Sequence, residues 1–298
     1  MLIPAPATAS PQRPSLSAAR VPLTRAVEVL DESGARRTLH IPAERPLTLY
    51  LDKRELVTLM TLGAAPELLT LGYLRNQRLV ERVEDIESVV VDWEVGAAAV
   101  TTRSGTADAA ARTRQRIVTT GCGQGTMFGM LMEELEARRL APPAVARIRQ
   151  STLMQLSEIM RTQDSIHRRA GSVHGCALFR GLEMLMFVED VGRHNAIDTI
   201  AGWMWLHGDS ALGAGDDKLF YTTGRLTSEM VTKAAQLGVP IVISRNGVTQ
   251  MGYELAQRLG MALFGRANLH RFICYCGFER FDSEPQAEPA PVRVSFGG

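Results

Sequence analysis

The sequence is poor in cysteine. Its 298 residues contain four cysteines, at positions 122, 176, 274 and 276. They are too few and too unevenly spaced to form a disulfide framework in a chain of this length, which excludes a disulfide-stapled secreted scaffold. We therefore expect a protein of a reducing compartment, the cytoplasm.

Long apolar runs and an excess of one charge are also missing. No stretch reaches the roughly 18 consecutive apolar residues of a membrane span, and the first 20 residues lack the charged and apolar regions of a signal peptide. We expect neither feature. Because the formal net charge is +1, the chain has no overall basic field that would attract nucleic acid. An anionic ligand would therefore have to be bound by a few locally placed basic groups.

The composition is that of a soluble globular protein, with 45% hydrophobic and 22% charged residues. This length predicts one large domain or two domains of ordinary size. We divide the chain into a disordered N-terminal tail (1–20), a mostly-β domain that includes Cys122 (21–140), an α/β domain (141–281) and a C-terminal tail (282–298).

Alternating apolar and polar residues predict antiparallel strands in the first 110 residues. Segment 56–62 fits either a strand or a helix, and Pro66 opens a short amphipathic helix. Residues 31–34 read as a turn between the first two strands. The predicted strands cover residues 25–30, 37–41, 47–52, 86–91 and 97–102.

The second half of the chain begins with a long helical segment over 144–163 and then alternates strands with helices. This alternation predicts a layered α/β domain with a largely parallel sheet, whose ligands bind beyond the carboxyl ends of the strands. The predicted strands cover 172–179, 183–188, 218–222, 240–244, 261–265 and 272–275, and the predicted helices cover 195–206, 227–237 and 249–259.

Cys122 lies in a loop of small residues, TTGCGQGTMFG. The surrounding glycines leave the thiol little cover and let another molecule approach closely. A basic run at 112–116 and a predicted helix over 127–139 would both favour the thiolate. The pattern therefore favours a reactive thiol, with a buried and inert cysteine as the alternative.

Polar residues also gather in three loops that follow predicted strands. The loop over 188–195 carries Asp190, Arg193, His194 and Asn195. Each has an ordinary structural alternative, because Asn195 can cap the next helix and Asp190 can pair with Arg193. Four such groups in one loop favour a functional role.

The other two loops follow the same strand, glycine, helix pattern. One contains Gly224 and Arg225, and the other contains Arg245. An arginine beside a helix start is suited to a phosphate or another anion, although many such loops only cap helices. Three of these loops on one sheet edge indicate a large anionic ligand.

Three further candidate residues lie on or next to predicted strands. A lone histidine on an apolar strand, such as His174, is more often a core residue than a ligand. Cys274 and Cys276 are separated by one residue, and we expect them to face opposite sides of the strand and not to share a zinc ion. We expect one of these two cysteines to be buried and one peripheral.

Taken in order, these motifs resemble the formate dehydrogenase accessory sulfurtransferase family, FdhD. The resemblance covers about residues 20 to 281, and EDVGRHNAID is its most specific motif. The motifs are the Gly-Cys-Gly loop, GSVH at 171–174, EDVGRHNAID at 189–198, TGR at 223–225 and the segment SEMVTKAA at 228–235.

The resemblance implies a sulfur carrier. Such a protein receives a persulfide sulfur from a cysteine desulfurase and passes it to the molybdenum cofactor Mo-bis(molybdopterin guanine dinucleotide), or Mo-bis-MGD, before insertion into formate dehydrogenase. It further implies a homodimer and a C-terminal domain similar to the cytidine deaminase fold. Cys122 would carry the persulfide.

The same resemblance implies a cofactor-contact segment near the C-terminus. That segment matches Phe264, Gly265, Arg266, Ala267, Asn268 and Leu269. Charge-assisted bonds to the cofactor phosphates are expected from Arg193, Arg225, Arg245 and Arg266. Other candidate contacts are His174, Asp190, His194, Asn195 and Gly224.

This chain departs from the family pattern at Gly125, where the family often has a second cysteine. No disulfide can form within the loop, so Cys122 would act alone unless the loop reaches another thiol. His174 is followed by Gly175 and Cys176 and lacks the glutamate of a deaminase motif, so we expect no catalytic zinc. Two alternatives remain: a cofactor chaperone without sulfur transfer, and a zinc hydrolase.

Overall fold

A computed structural model describes residues 13–105, 140–208 and 215–284. The Cys122 loop and the predicted helix over 127–139 lie outside these ranges. The described residues form six α-helices, which we number α1 (Pro66–Asn76), α2 (Gln150–Thr162), α3 (Ile166–Ala170), α4 (Arg193–Leu206), α5 (Ser228–Gln236) and α6 (Gln250–Arg258). None of these helices is both long enough and apolar enough to cross a lipid bilayer.

The strands form two larger sheets and two short ribbons. The first half of the chain contributes β1 (Ser15–Leu16), β2 (Thr24–Leu30), β3 (Arg36–Pro42), β4 (Arg45–Leu51), β5 (Arg54–Thr61), β6 (Ile86–Asp92) and β7 (Ala97–Thr102). The second half contributes β8 (Ile148–Arg149), β9 (His174–Arg180), β10 (Glu183–Asp190), β11 (Leu219–Thr222), β12 (Ile241–Ser244), β13 (Ala262–Gly265), β14 (Ile273–Cys276) and β15 (Phe281–Asp282).

The N-terminal sheet has the order β1-β6-β7-β4-β5, and β2 and β3 form a separate antiparallel ribbon. The predicted antiparallel pairings are confirmed for β2 with β3 and for β6 with β7. The ambiguous segment 56–62 proves to be mostly strand, because β5 pairs along the length of β4. The helix predicted at Pro66 is α1.

The expectation that residues 1–20 form a disordered tail is wrong for residues 13–20. Strand β1 pairs in parallel with β6. The Ser17 hydroxyl and the Ala19 amide both donate to Oε1 of Glu67, each at 2.6 Å. This segment is ordered by a distant strand and a buried carboxylate, which local composition does not reveal.

The C-terminal sheet has the order β10-β9-β11-β12-β13-β14. The predicted alternation of strands and helices is confirmed, but the expectation of a largely parallel sheet is wrong. Only β11, β12 and β13 run parallel to one another, while β9, β10 and β14 are antiparallel to their neighbours. Strands β9 and β10 form a tight hairpin through Gly181, whose φ is +56°, so no helix crosses between them.

The predicted helix over 144–163 is shorter than expected. Strand β8 pairs with β15, so helix α2 begins only at Gln150. Residue Val145, assigned to the apolar face of that helix, is 64% exposed. The predicted C-terminal tail does not begin at 282. Strand β15, which includes Asp282, pairs with β8, and the Ser151 amide donates to the Glu284 carboxylate (2.7 Å).

Each face of the C-terminal sheet carries its own apolar core. Helices α4, α5 and α6 cover one face, and α2 covers the other together with Phe264, Phe272 and Phe281. Cys276 belongs to the first core and Cys274 packs against the second. The two cysteines do face opposite sides, one buried and one more peripheral, as expected. The cause is a bulge in the pairing of β14 with β13, since residues two apart in a regular strand share a face.

Helices α1 and α4 cross in direct backbone contact and join the two halves of the chain. A Cβ atom on Gly72 would lie 1.6 Å from the carbonyl oxygen of Asp198. A Cβ atom on Gly202 would lie 1.9 Å from the carbonyl oxygen of Leu68. Only glycine at both positions permits this crossing, so the N-terminal helix has a defined position against the helix that begins at the candidate site.

Candidate functional site

The polar loops of the C-terminal half meet at one edge of its sheet. Because β11, β12 and β13 are parallel, their carboxyl ends lie side by side. Strand β9 is antiparallel to β11, so its first residue, His174, lies at the same edge. His174 is also opposite Asp190, the last residue of β10. The predicted convergence of the three loops is therefore confirmed.

Short hydrogen bonds lock neighbouring loops together along this edge. The Ser244 hydroxyl donates to the Gly224 carbonyl (2.6 Å), and the Asn246 side chain donates to the Thr223 carbonyl (2.9 Å). The Arg266 amide in turn donates to the Asn246 carbonyl (2.8 Å). The sequence alone did not mark Ser244 and Asn246 as site residues. The pattern that could have indicated them is the presence of small polar residues at the end of an apolar strand and directly after it.

Three arginines follow three adjacent strands of this edge. Arg225, Arg245 and Arg266 come after β11, β12 and β13, and all three are exposed. Adjacent strands lie about 4.8 Å apart, so the loops that carry these cations are neighbours. Arg266 has a φ of +52°, an uncommon conformation for a non-glycine residue. The edge is therefore a locally basic surface on a nearly neutral chain.

Arg193, the first residue of α4, extends over the loop after β11. A Cβ atom on Gly224 would lie 2.7 Å from Cδ of Arg193, so glycine leaves room for the arginine stem. Burial, and secondarily the charge of Arg225, lower the pKa of Arg193. Its Nε is buried without a hydrogen-bond partner among the described residues. Such a partly desolvated guanidinium favours an anionic partner.

His174 is a half-buried imidazole among positive charges. Burial lowers its pKa most, followed by the charges of Arg193, His167 and Arg225. The ring is therefore neutral at neutral pH and is available as a hydrogen-bonding group. Its position beside two site arginines favours a role at this edge over that of a satisfied core residue.

His194 lies below the edge, next to a buried ionic network. Burial, followed by the charge of Lys233, lowers the pKa of His194 to about 3. Its Nε2 lies 3.3 Å from Glu229 without hydrogen-bond geometry. Lys233 Nζ contacts Asp198 at 2.8 Å and Glu229 at 3.2 Å. His194 is thus a neutral, largely enclosed ring rather than an exposed cation.

Asp190 and Asn195 face the protein interior and do not contact Arg193. The Asp190 carboxylate accepts hydrogen bonds from two groups of the β5 end and from two groups of its own loop. The Asn195 amide donates to Asp190 (2.9 Å) and to the Met60 carbonyl (2.7 Å). Gly192, not Asn195, is the residue that precedes helix α4 as its N-cap. The structure therefore replaces the expected cofactor contacts with internal bonds.

The segment 264–269 presents only part of its length to solvent. Phe264, Gly265 and Ala267 are buried, with the Phe264 ring packed against Phe272 and Phe281. Arg266 and Asn268 are exposed, and Leu269 is half-buried. These last three are the side chains of the segment that a ligand at the edge can reach.

The cysteines of the described residues are poor nucleophiles. Burial raises the pKa of Cys176 to about 12, and the pKa values of Cys274 and Cys276 to about 11. All three are therefore protonated thiols at neutral pH. Within the described ranges, no three His, Cys, Asp or Glu side chains come together as a metal site.

The chain is similar to bacterial proteins that are named as sulfur carriers. It is 28% identical over 240 residues to a sulfur carrier protein FdhD from Listeria monocytogenes, covering 80% of this chain and 90% of that protein. A sulfur carrier protein FdhD from Bacillus subtilis is 29% identical over 238 residues, covering 80% and 88% of the two chains.

A solved structure has the same fold. It is described as a formate dehydrogenase accessory protein from Desulfotalea psychrophila, with a TM-score of 0.67 and 26% identity, and the match covers 88% of this chain and 100% of that one. The model of the FdhD/NarQ family matches residues 42–282, which include the C-terminal sheet, its arginine-lined edge and every strand of the N-terminal sheet except β1. The chain therefore belongs to the FdhD/NarQ family.

Proposed function

We propose that this protein is a sulfur carrier that serves formate dehydrogenase. The observation that carries the proposal is the match to the FdhD/NarQ family over residues 42–282, together with relatives named as sulfur carrier proteins. The solved relative is described as a formate dehydrogenase accessory protein. The arginine-lined edge adds a chemical argument, because it suits a large polyanion.

Cys122 is the proposed carrier of the sulfur. Its thiolate attacks the outer sulfur of a persulfide on a cysteine desulfurase, a new S–S bond forms on Cys122, and the donor cysteine leaves as a thiolate. This chemistry needs an exposed thiol with a low pKa. The other three cysteines do not meet that need, because burial raises the pKa of each.

Mo-bis-MGD is the proposed sulfur acceptor, and it is bound as a substrate. Its phosphates carry negative charge, which Arg193, Arg225, Arg245 and Arg266 can meet with charge-assisted bonds. The molybdenum centre would supply the electron pair that takes up the terminal sulfur of the Cys122 persulfide, and the S–S bond would break with Cys122 leaving as a thiolate. The protein acts in the cytoplasm, as a homodimer, before the cofactor is inserted into formate dehydrogenase.

Intact mass spectrometry tests the sulfur-carrier function directly. After incubation with a cysteine desulfurase and cysteine, the protein should gain the mass of one sulfur atom, about 32 Da, and a reducing thiol should remove it, because a persulfide is open to thiol exchange. Peptide mapping should place the added sulfur on Cys122. An added sulfur found only on Cys176, Cys274 or Cys276 would contradict the assignment.

Loss of arginines from the edge should weaken the binding of guanosine diphosphate, which represents one nucleotide end of the cofactor. We expect about tenfold weaker binding for Arg225→Ala and for Arg266→Ala, equivalent to about 1.4 kcal/mol each, because each removes charge-assisted bonds to phosphate. Isothermal titration calorimetry measures the dissociation constants.

The matched control is Arg36→Ala on the separate β2–β3 ribbon, where the side chain is 73% exposed and pairs with Glu28. It removes the same charge from a different surface and should leave nucleotide binding unchanged. Equal losses in the control and in the two edge variants would mean that only the overall charge matters, and the proposed phosphate contacts would then be wrong.

A further inference from the structure

We propose that Asp190 is a positioning residue that fastens the loop carrying Arg193 and His194 to the end of strand β5. The N-terminal half of the protein would then set the geometry of the anion-binding edge in the other half. The inference rests on the proposed function for its effect on cofactor binding, but not for the positioning itself.

The bonds of Asp190 join two distant parts of the chain. Its Oδ2 accepts from the Thr61 hydroxyl (2.5 Å) and from the Leu62 amide (3.1 Å), both at the end of β5. Its Oδ1 accepts from the Gly192 amide (3.0 Å) and from the Asn195 side chain (2.9 Å). Oδ2 therefore bonds to the end of β5, and Oδ1 bonds to the loop that carries Arg193 and His194.

All four partners of Asp190 are hydrogen-bond donors. A protonated carboxyl group would need an acceptor. The backbone amides and the Asn195 NH₂ group cannot accept, and the Thr61 hydroxyl already accepts from the Gly63 amide (3.1 Å). Burial raises the pKa of Asp190 above its ordinary value, although the bond from Thr61 and the other three bonds oppose that rise. The donor set thus fits an ionised carboxylate that is only 3% exposed and has no free side for a ligand.

The same bonds bracket the two functional residues of the loop. Gly192 and Asn195 are the neighbours of the Arg193–His194 pair on either side, and both bond to Asp190. Asn195 also donates to the Met60 carbonyl (2.7 Å), a second attachment to β5. With both ends held, the stem of Arg193 is directed across Gly224. Arg193 therefore points toward Arg225 and the rest of the edge because β5 holds its loop.

The ionisation of His174 provides a test that does not depend on cofactor. Its pKa is lowered by burial and by three facing basic residues: Arg193 on α4, His167 on α3 and Arg225 after β11. If Arg193 is displaced, the pKa of His174 should rise toward its ordinary value. Loss of the Asp190 charge alone would act in the opposite direction, because a nearby negative charge favours the protonated ring.

The experiment compares Asp190→Asn with the wild type by NMR titration of the His174 ring, assigned with His174→Gln. The amide is isosteric, but its NH₂ group must face donors on one side of the junction. We expect a rise in the pKa of His174 in Asp190→Asn and a smaller rise in Thr61→Val, which removes a single donor. Arg193→Ala defines the largest rise that displacement of Arg193 can cause.

An unchanged or lower pKa of His174 in a folded Asp190→Asn variant would overturn the inference. If that variant does not fold, the same criterion, the pKa of His174, is applied to Thr61→Val. We also expect guanosine diphosphate to bind about tenfold more weakly to Asp190→Asn, while persulfide loading of Cys122 is unchanged. Failure of the wild type to load sulfur would contradict the sulfur-carrier function and leave the His174 result unaffected.

Discussion

Replacing Cys122 by serine should abolish the activation of formate dehydrogenase by this protein. A serine hydroxyl cannot form the S–S bond that holds the transferred sulfur. The three remaining thiols cannot take over, because their pKa values are raised to about 11 or 12. Formate dehydrogenase activity in cells that depend on this protein should fall to the level of cells without it.

Cys274→Ser is the matched control, since Cys274 is half-buried and is the most accessible cysteine of the described residues. This variant should retain full activation. Guanosine diphosphate should bind to Cys122→Ser as it does to the wild type, because the edge is unchanged. Activation that survives in Cys122→Ser would refute the sulfur carrier and favour the alternative of a cofactor chaperone.

Replacing Gly72 by alanine should destabilise the protein by more than about 3 kcal/mol, beyond the usual cost of overpacking. The added Cβ atom would lie 1.6 Å from the Asp198 carbonyl oxygen, and no side-chain rotation can relieve a clash with backbone. Helices α1 and α4 must therefore separate and lose their packing. Thermal unfolding followed by circular dichroism should show a decrease of about 10 °C in Tm.

Gly247→Ala is the control for this prediction. A Cβ atom there meets no other atom within 4 Å, and its backbone conformation does not require glycine. Its unfolding temperature should stay close to that of the wild type. A Gly72→Ala variant as stable as Gly247→Ala would mean that α1 and α4 do not cross in direct backbone contact.

Much of the candidate site was predictable from local sequence patterns. The loops of Arg193, Arg225 and Arg245 each follow an apolar strand, and such ends meet at one edge when strands are parallel. The opposite orientations of Cys274 and Cys276 do not follow from strand periodicity, because residues two apart in a regular strand share a face. A bulge in the pairing of β14 with β13 separates them. The role of Cys122, inferred from its glycine-rich loop and the family resemblance, stays a prediction because that loop lies outside the described residues.

Other features of the site were not predictable, because they depend on distant partners. Asp190 was expected to pair with Arg193 or to contact the cofactor, yet its carboxylate bonds to Thr61, which is 129 positions away in the chain. The role of Asn195 depends on the Met60 carbonyl in the same way. No pattern within the EDVGRHNAID motif distinguishes a ligand contact from a bond to another strand.

The sequence by itself determined most of the longer strands and helices and which loops carry the polar groups, but not the short strands β1, β8 and β15. These properties follow from the periodicity of neighbouring residues. Only the tertiary structure decided how the segments pair and what each polar group contacts. It placed β1 against β6, made three strands of the C-terminal sheet antiparallel, and brought the backbones of Gly72 and Gly202 together. Such choices depend on the mutual fit of distant surfaces, which only the folded chain brings into contact.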